Sequence, residues 1–143
     1  VGFDLKQDFS LDNLHKDIMG SLNRLETDYI DYYLIHSPSV KEVNFPEIIN
    51  FFKEQRNKKI IRNFGVSLRS PSDYFEIENF ELDIVEFNFN LLDQRATDIG
   101  LFEKLKLKKI KSICRTPLCF GFLCSAGILK KNLDKNDSLR LQF

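Results

Sequence analysis

Tryptophan is missing altogether, and methionine occurs once, at Met19. Phenylalanine stands in their place with 14 residues, so a core packed with aromatic rings is the first expectation. Net charge is missing too, since 21 basic residues face 21 acidic ones. A balanced chain gives no electrostatic reason to expect nucleic acid or an anionic membrane as partner. No apolar run approaches the roughly 18 residues that a membrane helix needs, and no basic-then-apolar leader opens the chain. Cysteine is scarce and odd in number, at three, so a disulfide framework is not expected and a reducing, cytoplasmic setting is. Cys114, Cys119 and Cys124 fall five apart, which matches neither C-x-x-C nor a zinc pattern, so no metal site is expected. Cys114 reads as a core residue and the other two as loop residues. Glycine is also sparse, and no G-x-G-x-x-G occurs, which removes the usual mark of a dinucleotide-binding open sheet.

What remains is ordinary for a globular chain: 143 residues, 43% apolar and 29% charged, which predicts one domain over 1–143. It opens on Val1 rather than Met, which reads as a processed, renumbered or partial chain. Ser10 can cap a helix that aligns Leu11, Leu14, Ile18, Leu22 and Leu25 on one face, with Asp12 suiting its dipole. Ile30–Ile35 is aromatic and β-branched and predicts a strand, ended by Ser37-Pro38-Ser39. Pro46 suits the first position of a second helix, with Ile48, Ile49, Phe51 and Phe52 on its buried side. Ile60–Ser67, Leu82–Phe89 and Lys111–Thr116 predict three more strands. Pro71–Ile77 and Leu101–Leu107 predict helices between them. The polar segment from Ile128 onward is expected to be loose. Strand and helix alternate as parallel βα units do. Either an open doubly wound sheet or an arc of a (β/α)8 barrel fits, and a barrel carries its chemistry at the C-terminal strand ends.

Those ends are where the unusual residues fall. His36 and Ser67 close the first two strands. Alternation puts Glu86 and Asn88 on one face of the third with Ile84, and Arg115 and Thr116 close the fourth. A carboxylate and an amide among Ile, Val and Phe are costly to bury without partners. Together these residues would line one rim as a few convergent polar groups. Structural roles stand beside that reading: His36 as a hydrogen-bonding residue, Ser67 as a helix cap, Glu86 and Arg115 as a buried ion pair. His15 and Asp31 read as structural.

The segment Ser21-Leu22-Asn23-Arg24-Leu25-Glu26-Thr27-Asp28-Tyr29-Ile30-Asp31, running into Tyr33-Leu34-Ile35-His36, closely resembles a signature of the aldo-keto reductase superfamily. Three later segments resemble family motifs in the same order: Ile61 to Ser67, Phe87 to Leu92, and Arg115-Thr116-Pro117-Leu118 with Gly121 and Leu123. The resemblance covers about Val1 to Leu129. It implies a (β/α)8 TIM barrel that reduces small carbonyl compounds with NADPH or NADH. By resemblance His36 is the histidine that orients the carbonyl oxygen, a task suited to a neutral imidazole, which donates one hydrogen bond without a permanent charge. Ser67 matches the serine that holds the nicotinamide carboxamide. Arg115 and Thr116 occupy the strand end that packs against the nicotinamide. Leu118 to Gly121 matches the loop whose backbone approaches the pyrophosphate.

The chain departs from the family at two matched positions. Leu68 replaces the usual Asn or Arg after the serine, and Glu86 replaces the usual Gln, bringing charge into the nicotinamide site. The family's aspartate, tyrosine and lysine precede the histidine, and Val1-Gly2 resembles the stretch just after the lysine. The expectation is therefore a partial barrel lacking its first and last βα units, inactive by itself. Its exposed strand edges invite self-association. The other reading is a non-catalytic barrel that senses nucleotide or binds a partner.

Overall fold

A computed structural model describes residues 7–39 and 43–124. Four parallel strands form one sheet in the order β1-β2-β3-β4: β1 (Ile30–His36), β2 (Ile61–Ser67), β3 (Ile84–Asn88) and β4 (Lys111–Arg115). Helix α1 (Leu11–Leu25) precedes β1, and α2 (Phe45–Asn57) joins β1 to β2. A turn of 3-10 helix (Pro71–Asp73) and α3 (Tyr74–Ile77) lead to β3. The short α4 (Arg95–Asp98) and α5 (Leu101–Leu107) lead to β4, and a second 3-10 turn (Cys119–Gly121) follows it. Sequential strand order with helical crossovers is an arc of a (β/α) barrel, as expected. The segment from Ile128 onward lies outside the described residues.

The sheet's outer face and the helices make the core. Val85 and Phe87 of β3 and Phe64 and Val66 of β2 are buried with Ile48 and Phe52 of α2 and Leu101 and Leu105 of α5. Phe52 is the hub of an aromatic chain, with ring centroids 5.6 Å from Tyr33, 5.7 Å from Phe51 and 5.3 Å from Phe64. The phenylalanine excess is therefore packing, as its abundance implied. Arg56 of α2 then clamps the N-terminal end of β3. Its Nη1 reaches both Asp83 carboxylate oxygens, at 3.1 and 3.0 Å, while Asp83 Oδ2 accepts the Phe64 backbone N–H. No helix among the described residues is long and apolar enough to cross a membrane.

Several local expectations shift. Ser10 does cap α1, accepting the Asn13 N–H, and Leu14, Ile18 and Leu22 are buried, but Leu25 is 64% exposed. The reason is that α1 ends there: Glu26 turns left-handed, at φ 52°, and the chain turns away from the helix toward β1. Pro46 is the second residue of α2, behind Phe45, which the core needs. Strand β3 is shorter than the Leu82–Phe89 expected, because Asp83 is engaged by Arg56 and Phe89 turns into the next loop. Helix α4 carries no apolar period long enough to be read in advance. The cysteines are exchanged. Cys119 is fully buried, whereas Cys114, on the outer face of β4 opposite Phe87, is exposed, since β4 is the edge strand of the described sheet.

Candidate functional site

Parallel pairing in register brings the strand-end residues together. His36 pairs with Ser67, Ser67 with Glu86, and Asn88 with Arg115. All five therefore share the concave face at its C-terminal rim, since partners in register point the same way. Gly65 allows this close spacing of β2 and β3. A Cβ there would stand 1.8 Å from the Ile84 carbonyl oxygen, inside any possible contact.

At the centre of the rim the Ser67 hydroxyl donates to Glu86 Oε1 at 2.7 Å, and Ser67 is buried. The same carboxylate oxygen lies 3.9 Å from Arg115 Nη1. Arg115 Nη2 donates to the Leu68 carbonyl oxygen at 2.6 Å, and its Nε is buried without a hydrogen-bond partner among the described residues. The chain thus links the ends of β2, β3 and β4 through one carboxylate and one guanidinium. Ser67 is not a helix cap: its Oγ is spent on Glu86, and the turn that follows is opened by Ser70, whose N–H donates to Asp73 Oδ2 at 2.8 Å. Leu68 turns into the core, 2% exposed, and offers only its carbonyl to Arg115.

His36 is exposed, and its imidazole makes no hydrogen bond among the described residues. Its backbone carbonyl accepts from Gln7 Nε2 at 2.8 Å, while the next residue, Ser37, is left-handed at φ 49° and donates its N–H to the Ser67 carbonyl. His36 is therefore fixed by its backbone, with the ring left at the rim. His15 is exposed on α1, and Asp31 makes a surface ion pair with Arg62 at 2.7 Å.

Two residues organise the far side of the rim that side-chain alternation did not single out. Asn90 and Asp93 are buried. Asn90 donates to the Thr116 carbonyl and accepts the N–H groups of Leu92 and Asp93. Asp93 takes the Arg95 guanidinium with two bonds of 2.8 Å. The signal available beforehand was a polar residue on each side of Leu91-Leu92. The loop after β4 is unusual in its backbone. Thr116, Cys119 and Phe120 are left-handed without being glycine, at φ 58°, 46° and 56°, and Gly121 stands at φ 94°. Such conformations cost energy and collect at functional turns. Leu118 and Phe120 face solvent there. Burial, and then the Asp93 carboxylate, push the Cys119 thiol up, so it is a packing residue rather than a nucleophile. Among the described residues no group of three His, Cys, Asp or Glu is placed to hold a metal.

Of two cavities among the described residues, one reaches this rim. One of about 340 Å³ follows the outer edge of β1 and touches His36. A larger one of about 570 Å³ lies at the β4 edge near Tyr32 and Lys111, two layers down from the rim.

A sequential parallel arc with its polar groups gathered at the C-terminal strand ends defines the class, a (β/α)8-barrel protein. Within it, the chain belongs to the aldo/keto reductase family, whose description as a family model matches residues 4–142. It is 31% identical over 127 residues to an uncharacterized oxidoreductase of Bacillus subtilis, covering 86% of this chain and 40% of that protein. It is 30% identical over 152 residues to D-arabinose 1-dehydrogenase of Saccharomyces cerevisiae, covering 96% of this chain and 40% of the enzyme. Among solved structures, the glycerol dehydrogenase of Gluconobacter oxydans superposes with a TM-score of 0.76 at 26% identity, over 99% of this chain and 44% of that one. The chain spans about two-fifths of the length of these relatives.

Proposed function

We propose that this rim is part of the active site of a reductase that moves a hydride between NADPH, or NADH, and a small aldehyde or ketone. The observation that carries the reading is the register: His36, Ser67, Glu86 and Arg115 meet on one face at the C-terminal strand ends, where barrel enzymes hold their substrates. The polar groups suit a nicotinamide. Glu86 accepts a carboxamide N–H₂ beside the Ser67 hydroxyl, and the Arg115 fork offers donors to a carboxamide oxygen. Arg115 and Thr116 would pack against the ring, and the backbone of the loop from Leu118 to Gly121 would approach the phosphates. The cofactor, when bound, supplies the hydride. His36 donates a hydrogen bond to the substrate's carbonyl oxygen and aims the carbonyl carbon. Turnover belongs to the complete barrel, in which an acid supplied by other residues protonates that oxygen. The names of two relatives, dehydrogenases of D-arabinose and of glycerol, support small hydroxylated or carbonyl compounds as the substrate class.

Titration of the 143-residue chain with NADPH, followed by the cofactor's own emission, tests the reading. Saturable binding, weakened in Ser67→Ala, is the expected result. No binding would turn the reading to a non-catalytic barrel that retains the scaffold and engages a partner. Leu68 favours that second reading, because it carries no polar group where the family holds an amide or guanidinium.

A further inference from the structure

We infer that Glu86 and Arg115 act as a compensating charge pair that leaves this rim with little preference between the oxidised and reduced forms of the cofactor. The inference rests on the proposed cofactor site and goes beyond it. Glu86 brings a carboxylate into the rim where the family uses a neutral amide. Arg115 is aimed at the same spot: its Nη1 lies 3.9 Å from Glu86 Oε1, and its Nη2 is anchored 2.6 Å from the Leu68 carbonyl oxygen. Both side chains are about one-quarter exposed, at 27% for Glu86 and 26% for Arg115, so water screens them only in part. Ser67 spends its hydroxyl hydrogen on Glu86 at 2.7 Å, which holds the carboxylate in the plane of the rim.

The consequence follows from the charge of the ligand. NADP⁺ and NADPH carry the same phosphates and differ by one positive charge, on the nicotinamide ring. An anionic rim favours the oxidised ring, a cationic rim disfavours it, and a paired rim discriminates little. Arg115 therefore cancels the charge that Glu86 introduces. Arg115 thus acts on the ring by its charge as well as by the contact proposed above.

The test compares dissociation constants of the 143-residue chain for NADPH, by direct emission, and for NADP⁺, by competition, at low salt. The ratio of the two removes contributions from the phosphates and from general loosening of the fold, which move both forms alike. In Glu86→Gln, NADP⁺ should weaken relative to NADPH by roughly tenfold. In Arg115→Gln the ratio should move roughly tenfold the other way. The double variant should return near the wild-type ratio, and Arg115→Lys, which keeps the charge, should stay there. An unchanged ratio in both single variants with binding retained overturns this inference and leaves the cofactor site standing. A Lys variant that behaves like Gln overturns it as well, since charge would not be the cause. A wild-type chain that binds neither form removes the cofactor site and this inference with it.

Discussion

Tyr33 sits half-buried on the outer face of β1, edge-on to Phe52. Burial first, and then the negative charge of Asp17, push its phenol up from 10.0 to about 12, with Arg24 pulling the other way. The folded chain therefore holds this proton where the unfolded chain has released it. Stability from Tyr33 is complete below about pH 10 and is lost as pH climbs toward about 12. Tyrosinate absorbance should show one phenol titrating near pH 12, absent in Tyr33→Phe, and that variant should lose less stability above pH 10. Gly65 makes the opposite demand, for the absence of a group. Its missing Cβ is filled by the Ile84 carbonyl oxygen, so Gly65→Ala must force β2 from β3. A loss of about 3 kcal/mol or more is expected in urea denaturation, or no folded protein at all. His36 contrasts with both. It is exposed, and its ring has no hydrogen bond among the described residues, so His36→Ala should change stability by less than about 0.5 kcal/mol in the same measurement. On the function proposed above, carbonyl reduction by the complete barrel should fall by roughly a hundredfold with that substitution, read in kcat.

The helices end in a shared way that the residue types do not advertise. After α1, α2 and α5 stand Glu26, Lys59 and Lys109, left-handed at φ 52°, 61° and 58°. The next N–H in each case reaches back to close the turn: Thr27 to the Leu22 carbonyl, Ile60 to Gln55 and Ile110 to Leu105. This is the closure that glycine usually makes, since a side chain costs about 1 kcal/mol or more in that conformation. The turns after α2 and α5 also drop Ile60 and Ile110 against the core. Lys59→Gly and Lys109→Gly should therefore stabilise the chain, by some tenths to about 1 kcal/mol each, the gain being reduced by glycine's freedom when unfolded. A higher urea midpoint is the expected reading, and a lower one would mean that the lysine chains contribute contacts worth more than the strain.

At the scale of the molecule, four strands make an open arc. Among the described residues β1 and β4 are each paired on one side only, and the concave face leaves Tyr32 and Ile113 about 40% and 38% exposed. Lys111 crosses that face to donate to the Tyr32 hydroxyl at 2.6 Å, a polar contact in a layer that a closed barrel would bury. Unpaired parallel edges are templates for another chain. The isolated 143-residue chain should therefore sediment as a dimer or larger species, increasingly so with concentration. A compact monomer with a sharp melting transition at every concentration would show that the arc satisfies its own edges.

Much of this was determined by the sequence alone. The period of two placed Glu86 and Asn88 on one face, and the period near 3.6 buried Leu14, Ile18 and Leu22. Both follow from short-range geometry that any chain obeys. The order of the rim residues was equally legible, because the ends of the first and fourth strands are marked locally by Ser37-Pro38-Ser39 and Pro117. Tertiary structure alone decided the rest. Cys119 is buried and Cys114 exposed according to which element covers each, and no local period reports a cover. Asn90 and Asp93 became organisers only when the Thr116 carbonyl and Arg95 arrived beside them. Arg115 found Glu86 because β3 and β4 pair in this register and no other. Pattern along the chain sets which way a side chain points, and packing across it sets what that side chain meets.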